Sequence, residues 1–128
     1  MSDDTPATGA VEQIKWRAKV ADHDYDAAEA YLSLKLDKEA VRETVKRLRK
    51  ASITKRRAND ILRAAGLDAA TLDDPGVMKE LVKVIEGKPL SPLLVVSAET
   101  GADIADGYHR ASFVYRIDPY GEIPLKIA

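Results

Sequence analysis

The stretch that decides the fold runs from Pro92 to Ile127 and reads PLLVVSAETGADIADGYHRASFVYRIDPYGEIPLKI. A short apolar run at residues 93–96 predicts a buried strand, and the small residues after it predict a tight turn and a return strand at 102–105. A helix is predicted over Tyr108–Ile117, and alternating apolar residues at 123–127 predict a last strand. The order of these elements is a hairpin–helix–strand unit.

The first third of the chain combines one alternating segment with two helical ones. Charged and apolar residues alternate over 13–20, which predicts a half-buried strand. Helix-forming residues at 27–36 predict the first helix. Asp37 is placed to cap a second helix that ends near Lys50, because an N-cap carboxylate accepts hydrogen bonds from the first free amides.

Two further helices are predicted before the hairpin. Ser52 or Thr54 is expected to cap a short one that stops at Gly66, a residue type that favours helix C-termini. Asp74 followed by Pro75 is typical of a helix start, so a fourth helix is predicted there. Its buried stripe is expected to consist of Val77, Leu81, Val84 and Ile85.

Four helices followed by a small sheet predict the α+β class. A chain of 128 residues suits one domain with a real core. We therefore expect a flexible tail at 1–10 and a single domain at 11–128, in which residues 11–73 form a helical N-terminal extension and the remainder a small mixed sheet.

Composition excludes several classes of site. The chain has no cysteine, so a disulfide framework, a thiolate metal site and a cysteine nucleophile are excluded. No apolar run approaches the length of a membrane span, and the acidic start lacks the pattern of a secretory signal, so a cytoplasmic protein without membrane partners is expected. The formal net charge is −1, so any nucleic-acid binding requires a local basic patch.

One pentapeptide carries chemistry: Asp106-Gly107-Tyr108-His109-Arg110, where a strand ends and a helix begins. Helix N-termini have free amides and partial positive charge, glycine allows close approach, and an arginine fork suits phosphate oxygens, so an anion site is predicted. Asp106 beside a phosphate implies either a bridging divalent cation or a helix cap. The same five residues also fit an ordinary capped turn with a surface arginine.

The surroundings of this turn add a resemblance. A G-x-x-x-x-P pattern at 87–92 precedes the first strand, the DGYHR turn opens the helix, and EIPLKI at 122–127 begins the last strand. In this order the motifs resemble the ParB/sulfiredoxin-like superfamily, with Leu125 where that family has valine. The resemblance covers about residues 74–128.

The resemblance implies a nucleotide-binding function, with ATP or CTP and Mg²⁺ as cofactors. By resemblance, Gly107, Tyr108, His109 and Arg110 would bind phosphate, Asp106 would contact the metal, and Asp106, His109 and Arg110 would form the catalytic set of a phosphotransferase or NTPase. Two departures limit the transfer. Tyr108 replaces the sulfiredoxin cysteine, which excludes that reaction, and the chain ends before the DNA-binding part of ParB.

Two other functions are compatible with the sequence. A DNA-binding or nuclease-like protein would act through the basic stretch 42–57. A non-catalytic interaction module would instead pair with a partner or form a homodimer, and its turn at 106–110 would neither bind phosphate nor take part in catalysis. His23, Asp24 and Asp26 are too few to indicate a metal site. The basic stretch also fits a solvated helix face, and its candidate phosphate contacts are Lys46, Arg47, Arg49, Lys50, Lys55, Arg56 and Arg57.

Overall fold

The computed structural model of the protein describes residues 11–128, and the predicted tail at 1–10 lies outside the described residues. Within that range no helix is long and apolar enough to cross a membrane. The elements are α1 (Asp22–Leu32), α2 (Lys38–Lys50), β1 (Thr54–Arg57), α3 (Ala58–Ala65), α4 (Pro75–Ile85), β2 (Leu93–Ala98), β3 (Gly101–Asp106), α5 (Tyr108–Ile117) and β4 (Glu122–Ile127).

The four strands form one mixed sheet in the order β1-β4-β2-β3. The β2–β3 hairpin and the β1–β4 pair are antiparallel, whereas β2 and β4 run parallel. The α+β class predicted from the sequence is confirmed, and so is the mixed character of the sheet.

Helices cover both faces of the sheet. Because side chains alternate along a strand, Leu93 and Val95 of β2 enter one cluster while Leu94 between them enters the other. The first cluster packs the sheet against α3, α4 and α5, and the second packs it against α1 and α2. The central strand β2 is therefore buried on both sides, which explains its continuous apolar run.

Local signals predicted several boundaries correctly. Asp37 caps α2 by accepting a hydrogen bond from the amide of Ala40, and Asp74 caps α4 through the amide of Gly76. Gly66 ends α3 in the left-handed conformation. The hairpin turn and the bounds of α5 also match the predictions, because capping and turn chemistry act within a few residues.

The strand predicted at 13–20 is wrong. The segment makes a single bridge between Trp16 and Leu90, in which the amide of Arg17 donates to the carbonyl of Leu90 at 2.8 Å. Within the described residues, no strand pairs with this segment beyond that bridge. Its apolar side chains therefore cover the core without forming a β-ladder. The first helix also begins five residues earlier than predicted, at Asp22, and ends at Leu32.

A strand, β1, replaces the predicted helix cap at Ser52 or Thr54. Helix α3 begins only at Ala58, and no side chain caps it. Its first amides instead donate to carbonyls of a turn that is distant in sequence. The amide of Ala58 donates to the carbonyl of Gly121 and that of Asn59 to the carbonyl of Pro119, both at 2.9 Å. The extension at 11–73 is thus not purely helical, because pairing with β4 makes Thr54–Arg57 a strand.

Ile85 does not belong to the buried stripe of α4. Its side chain is 74% exposed, while Val77 is fully buried and Leu81 and Val84 are partly buried. The apolar residues of the helix form an arc that is wider than the buried stripe and extends to the exposed Met78, Val82 and Ile85, so the sequence pattern alone did not distinguish the inward face at its last residue.

Candidate functional site

The turn at 106–110 lies at the junction of β3 and α5, as predicted. The first hydrogen bond of α5 is donated by the amide of Ala111 to the carbonyl of Gly107 at 2.9 Å. The amides of Tyr108, His109 and Arg110 therefore have no acceptor inside the helix, and no side chain caps this end. The helix terminus expected for an anion site is present.

Gly107 is required by both its backbone and its surroundings. Its φ of 112° lies in the left-handed region, which residues with a Cβ rarely adopt. A Cβ built there would lie 2.5 Å from Cγ of Leu93 and 3.0 Å from Nη2 of Arg110. Glycine at this position lets the arginine fold back under the turn.

Arg110 is buried rather than exposed, with 8% of its surface accessible. Its Nη2 donates to Oδ2 of Asp106 at 2.7 Å and lies 3.5 Å from Oδ2 of Asp24. One guanidinium thus neutralises two carboxylates, the partly buried Asp106 of its own turn and the buried Asp24 of the first turn of α1. The alternative interpretation of Arg110 as a surface arginine is wrong, because its side chain is enclosed between Asp106 and Asp24.

Burial governs the charge of Asp106. Removal from water raises the pKa of the Asp106 carboxyl above its ordinary value of 3.8, and the neighbouring Asp24 carboxylate acts in the same direction. The charge and hydrogen bond of Arg110 oppose this rise in pKa. The protonation state of the Asp106 carboxyl therefore depends on the guanidinium beside it.

Two polar atoms in this cluster have no hydrogen-bond partner among residues 11–128: Nε of Arg110 and Oδ2 of Asp24. Leaving a buried polar atom unpaired costs about 1–3 kcal/mol, so most buried polar atoms have a partner. In the same range Oδ1 of Asn59 and Oε1 of Glu80 also have none. The Arg110 and Asp24 atoms are both covered by the surrounding protein, so they mark a charge cluster whose hydrogen bonding is incomplete.

Arg110 forms part of the lining of an open cleft of about 300 Å³. Arg17, Lys83 and Lys88 bring further positive charge to this cleft, and Asp24 brings negative charge. The two lysines have acidic neighbours, since Nζ of Lys83 is 3.6 Å from Glu80 and Nζ of Lys88 is 3.0 Å from Glu86. No ion pair of Arg17 occurs in the described part of the chain.

The first turn of α1 also opens into this cleft, where Ala21 and His23 contribute to the lining. Ala21 is the N-cap and has no capping side chain, and its own amide donates to Oγ of Ser91 at 3.0 Å. The start of α1 therefore offers unpaired amides beside the four basic side chains.

The other residues of the predicted site face a different cleft. Gly107, Tyr108 and His109 line an open depression of about 460 Å³, together with Tyr31 and Leu67. The hydroxyl of Tyr108 donates to the carbonyl of Asp68 at 2.6 Å. The structure thus divides the pentapeptide between two clefts, and the phosphate-binding and catalytic roles predicted for its members remain predictions.

His109 packs against the start of α4. A Cβ at Gly76 would lie 2.5 Å from the imidazole, and Nε2 of His109 is 3.4 Å from Oδ1 of Asp74. The same Asp74 oxygen accepts hydrogen bonds from the amides of Gly76 and Val77. Asp74 therefore both caps α4 and orients a half-exposed histidine, a role that the sequence reading did not include.

Replacing Asp74 with alanine is expected to lower the free energy of unfolding by about 1 kcal/mol, because α4 loses its N-cap. Asp74→Asn keeps an acceptor oxygen and should retain most of the stability. Urea denaturation of the three proteins measures the difference. Equal stability of Asp74→Ala and the wild type would show that the cap contributes nothing.

A preformed metal centre is not part of this arrangement. In the range 11–128, no group of three or more histidine, aspartate or glutamate side chains could hold a metal ion. Asp106, the residue expected to contact Mg²⁺, accepts from Arg110 through Oδ2, and Oδ2 of Asp24 lies 3.5 Å from the same guanidinium without a hydrogen bond.

The sequence reading assigned no role in the site to Arg17, Asp24, Lys83 or Lys88. Lys88 could have been found, because it lies inside the G-x-x-x-x-P pattern that precedes β2. Arg17 and Asp24 carried no signal, since they come from segments whose positions are set only by the tertiary structure.

The residues predicted to contact nucleic acid lie outside both clefts. They belong to the end of α2 and to β1, and all are exposed. We refer to them together as the basic surface, which consists of Lys46, Arg47, Arg49, Lys50, Lys55, Arg56 and Arg57.

Comparison of the chain with protein-family models, curated proteins and solved structures found no match. The resemblance to the ParB/sulfiredoxin-like superfamily therefore remains an expectation carried by the motifs.

Proposed function

We propose that the cleft beside Arg110 binds the phosphate groups of a nucleoside triphosphate such as ATP or CTP. The observation that carries this proposal is an open cleft lined by four basic side chains, one of which is the buried guanidinium of Arg110. A phosphate oxygen is an acceptor suited to such a donor, and Arg110 is already held in place by Asp106.

The rest of the cleft supports the same ligand class. Arg17, Lys83 and Lys88 supply charge from three directions, and the uncapped start of α1 supplies backbone donors. Asp24 would repel a bare phosphate, so Mg²⁺ that enters with the nucleotide is part of the proposal. Such a metal neutralises charge on the phosphates.

Isothermal calorimetry with ATP and CTP, each with and without Mg²⁺, tests the proposal. A hydrogen bond from a charged group contributes about 1.5–3 kcal/mol, and exposure to solvent reduces this contribution. The double variant Arg17→Gln/Lys88→Gln should therefore bind the nucleotide about tenfold more weakly than the wild type. Nucleotide should also raise the melting temperature of the wild type, because it binds the folded state.

Lys79→Gln is the matched control, since Lys79 is an exposed lysine of α4 that does not line the cleft. Its affinity should equal that of the wild type. Absence of heat at millimolar nucleotide would contradict the proposal, and so would an equal loss of affinity in the Lys79→Gln protein.

A further inference from the structure

The charge of the chain is strongly uneven. The basic surface holds seven of the 20 lysines and arginines, and no acidic residue lies between Glu43 and Asp60. The other 13 basic residues stand against 21 acidic ones, which leaves the remainder of the chain with a formal charge of −8. A nearly neutral protein thus carries one concentrated positive region.

None of the seven cations forms an ion pair within the described range, although basic residues elsewhere do so. Charges at the end of α2 complement the helix dipole, which accounts for Arg47, Arg49 and Lys50. Strands have little dipole, so this explanation does not extend to the three consecutive cations of β1.

The tertiary structure joins the two halves of the basic surface. Nζ of Lys126 in β4 donates to the carbonyl of Arg49 at 2.8 Å, which fixes the end of α2 beside the sheet. Strand β1 is the neighbour of β4 and forms an edge of the sheet, so its side chains at 55–57 are exposed. The cations therefore continue from the helix end onto the sheet edge.

An aromatic side chain distant in sequence lies beside these cations. Tyr120, in the turn before β4, is 63% exposed, and the guanidinium carbon of Arg57 is 5.7 Å from its ring centroid. Tyr120 and Lys55 also line an open groove of about 510 Å³ that includes Trp16. An exposed ring next to a basic track is the arrangement on which bases of single strands stack.

We infer that the basic surface and Tyr120 bind single-stranded nucleic acid, independently of the nucleotide cleft. The phosphate backbone follows the cations from α2 onto β1, and one base stacks on Tyr120. Three acidic residues also line the groove, namely Glu12, Asp118 and Glu122. Their carboxylates repel phosphate but accept hydrogen bonds from the N–H groups of bases, including the ring N3–H of thymine and uracil, which places the base in the groove and the backbone outside it.

Fluorescence anisotropy of the full chain with a labelled 20-nucleotide oligothymidine and oligouridine tests this site. Binding is expected in the micromolar range and should weaken with salt. Because the log–log salt slope is about −0.7 for each phosphate contact on a single strand, Arg56→Gln/Arg57→Gln should make the slope shallower by about 1.4. The matched control Lys38→Gln/Lys79→Gln removes the same charge elsewhere on the surface and should leave both affinity and slope unchanged.

The aromatic contact has its own test. Tyr120→Leu should weaken binding by about tenfold, whereas Tyr120→Phe, which keeps the ring, should bind like the wild type. A duplex of the same length should bind more weakly than either single strand, because its bases are already stacked.

Several results would overturn the inference. One is the absence of binding at about 100 µM protein in low salt. Another is an equal loss of affinity in Arg56→Gln/Arg57→Gln and in the control Lys38→Gln/Lys79→Gln, and a third is wild-type affinity of Tyr120→Leu. Tighter binding of the duplex, or equal competition by polyglutamate, would also overturn it by showing that the surface takes a double helix or any polyanion. Failure here leaves the nucleotide proposal intact, because the cleft shares no residue with the basic surface.

Discussion

Replacing Arg110 with methionine is expected to lower the free energy of unfolding by about 3–5 kcal/mol. The substitution leaves the buried Asp24 and the partly buried Asp106 without the cation that lies 3.5 Å from the first and 2.7 Å from the second. An uncompensated buried charge is among the most costly changes in a small domain, whose total stability is about 5–15 kcal/mol. Urea denaturation at neutral pH measures the loss.

The loss should depend on pH in a defined direction. Burial holds the pKa of Asp106 above 3.8, so the folded state binds its proton more readily than the unfolded state does. Between the pKa of Asp106 in the unfolded state and its higher pKa in the folded state, the free energy of unfolding therefore falls as pH rises and recovers as pH falls. Removing Arg110 raises the pKa of Asp106 further, so the deficit of Arg110→Met should be largest near neutral pH and shrink on acidification.

The triple variant Arg110→Met/Asp24→Asn/Asp106→Asn is the matched control for this prediction. It removes the whole charge cluster, and replacing buried ionic groups together is often close to neutral. Recovery of most of the lost stability would assign the effect to the uncompensated carboxylates. A triple variant as unstable as Arg110→Met would show instead that the guanidinium acts through packing.

Gly107→Ala is expected to cost about 3–4 kcal/mol, from backbone strain and overpacking together. The φ of 112° is unfavourable for any residue with a Cβ, and the added methyl group would lie 2.5 Å from Cγ of Leu93. Leu93 is fully buried in the core and cannot move aside. Thermal or urea unfolding of the variant measures this cost.

Gly66→Ala separates the two causes. Gly66 also has a positive φ, 68°, but a Cβ there would have no atom within 4 Å. Its replacement should cost only the backbone term of about 1 kcal/mol. If Gly107→Ala were no worse than Gly66→Ala, the turn would have room that the contacts do not show, and close packing beneath Gly107 would be disproved.

Signals that act within a few residues were predictable from the sequence. The caps at Asp37 and Asp74, the stop at Gly66 and the apolar run of β2 were each predicted in place. Strand β1 was not, because Thr54–Arg57 has no apolar pattern and becomes a strand only by pairing with β4. The strand predicted at 13–20 is wrong for the converse reason. Polar and apolar residues alternate there, but the segment forms only one β-bridge, between Trp16 and Leu90.

For the site, the sequence by itself determined the helix start at Gly107 and the presence of an arginine in its first turn, because both are local. Only the tertiary structure decided that Arg110 is buried between Asp106 and Asp24, that His109 lies against α4, and that Tyr120 joins the basic surface. These pairings connect residues up to 86 positions apart. Hydrogen bonds and charge interactions depend on distance in space, and no periodicity or spacing along the chain specifies that distance.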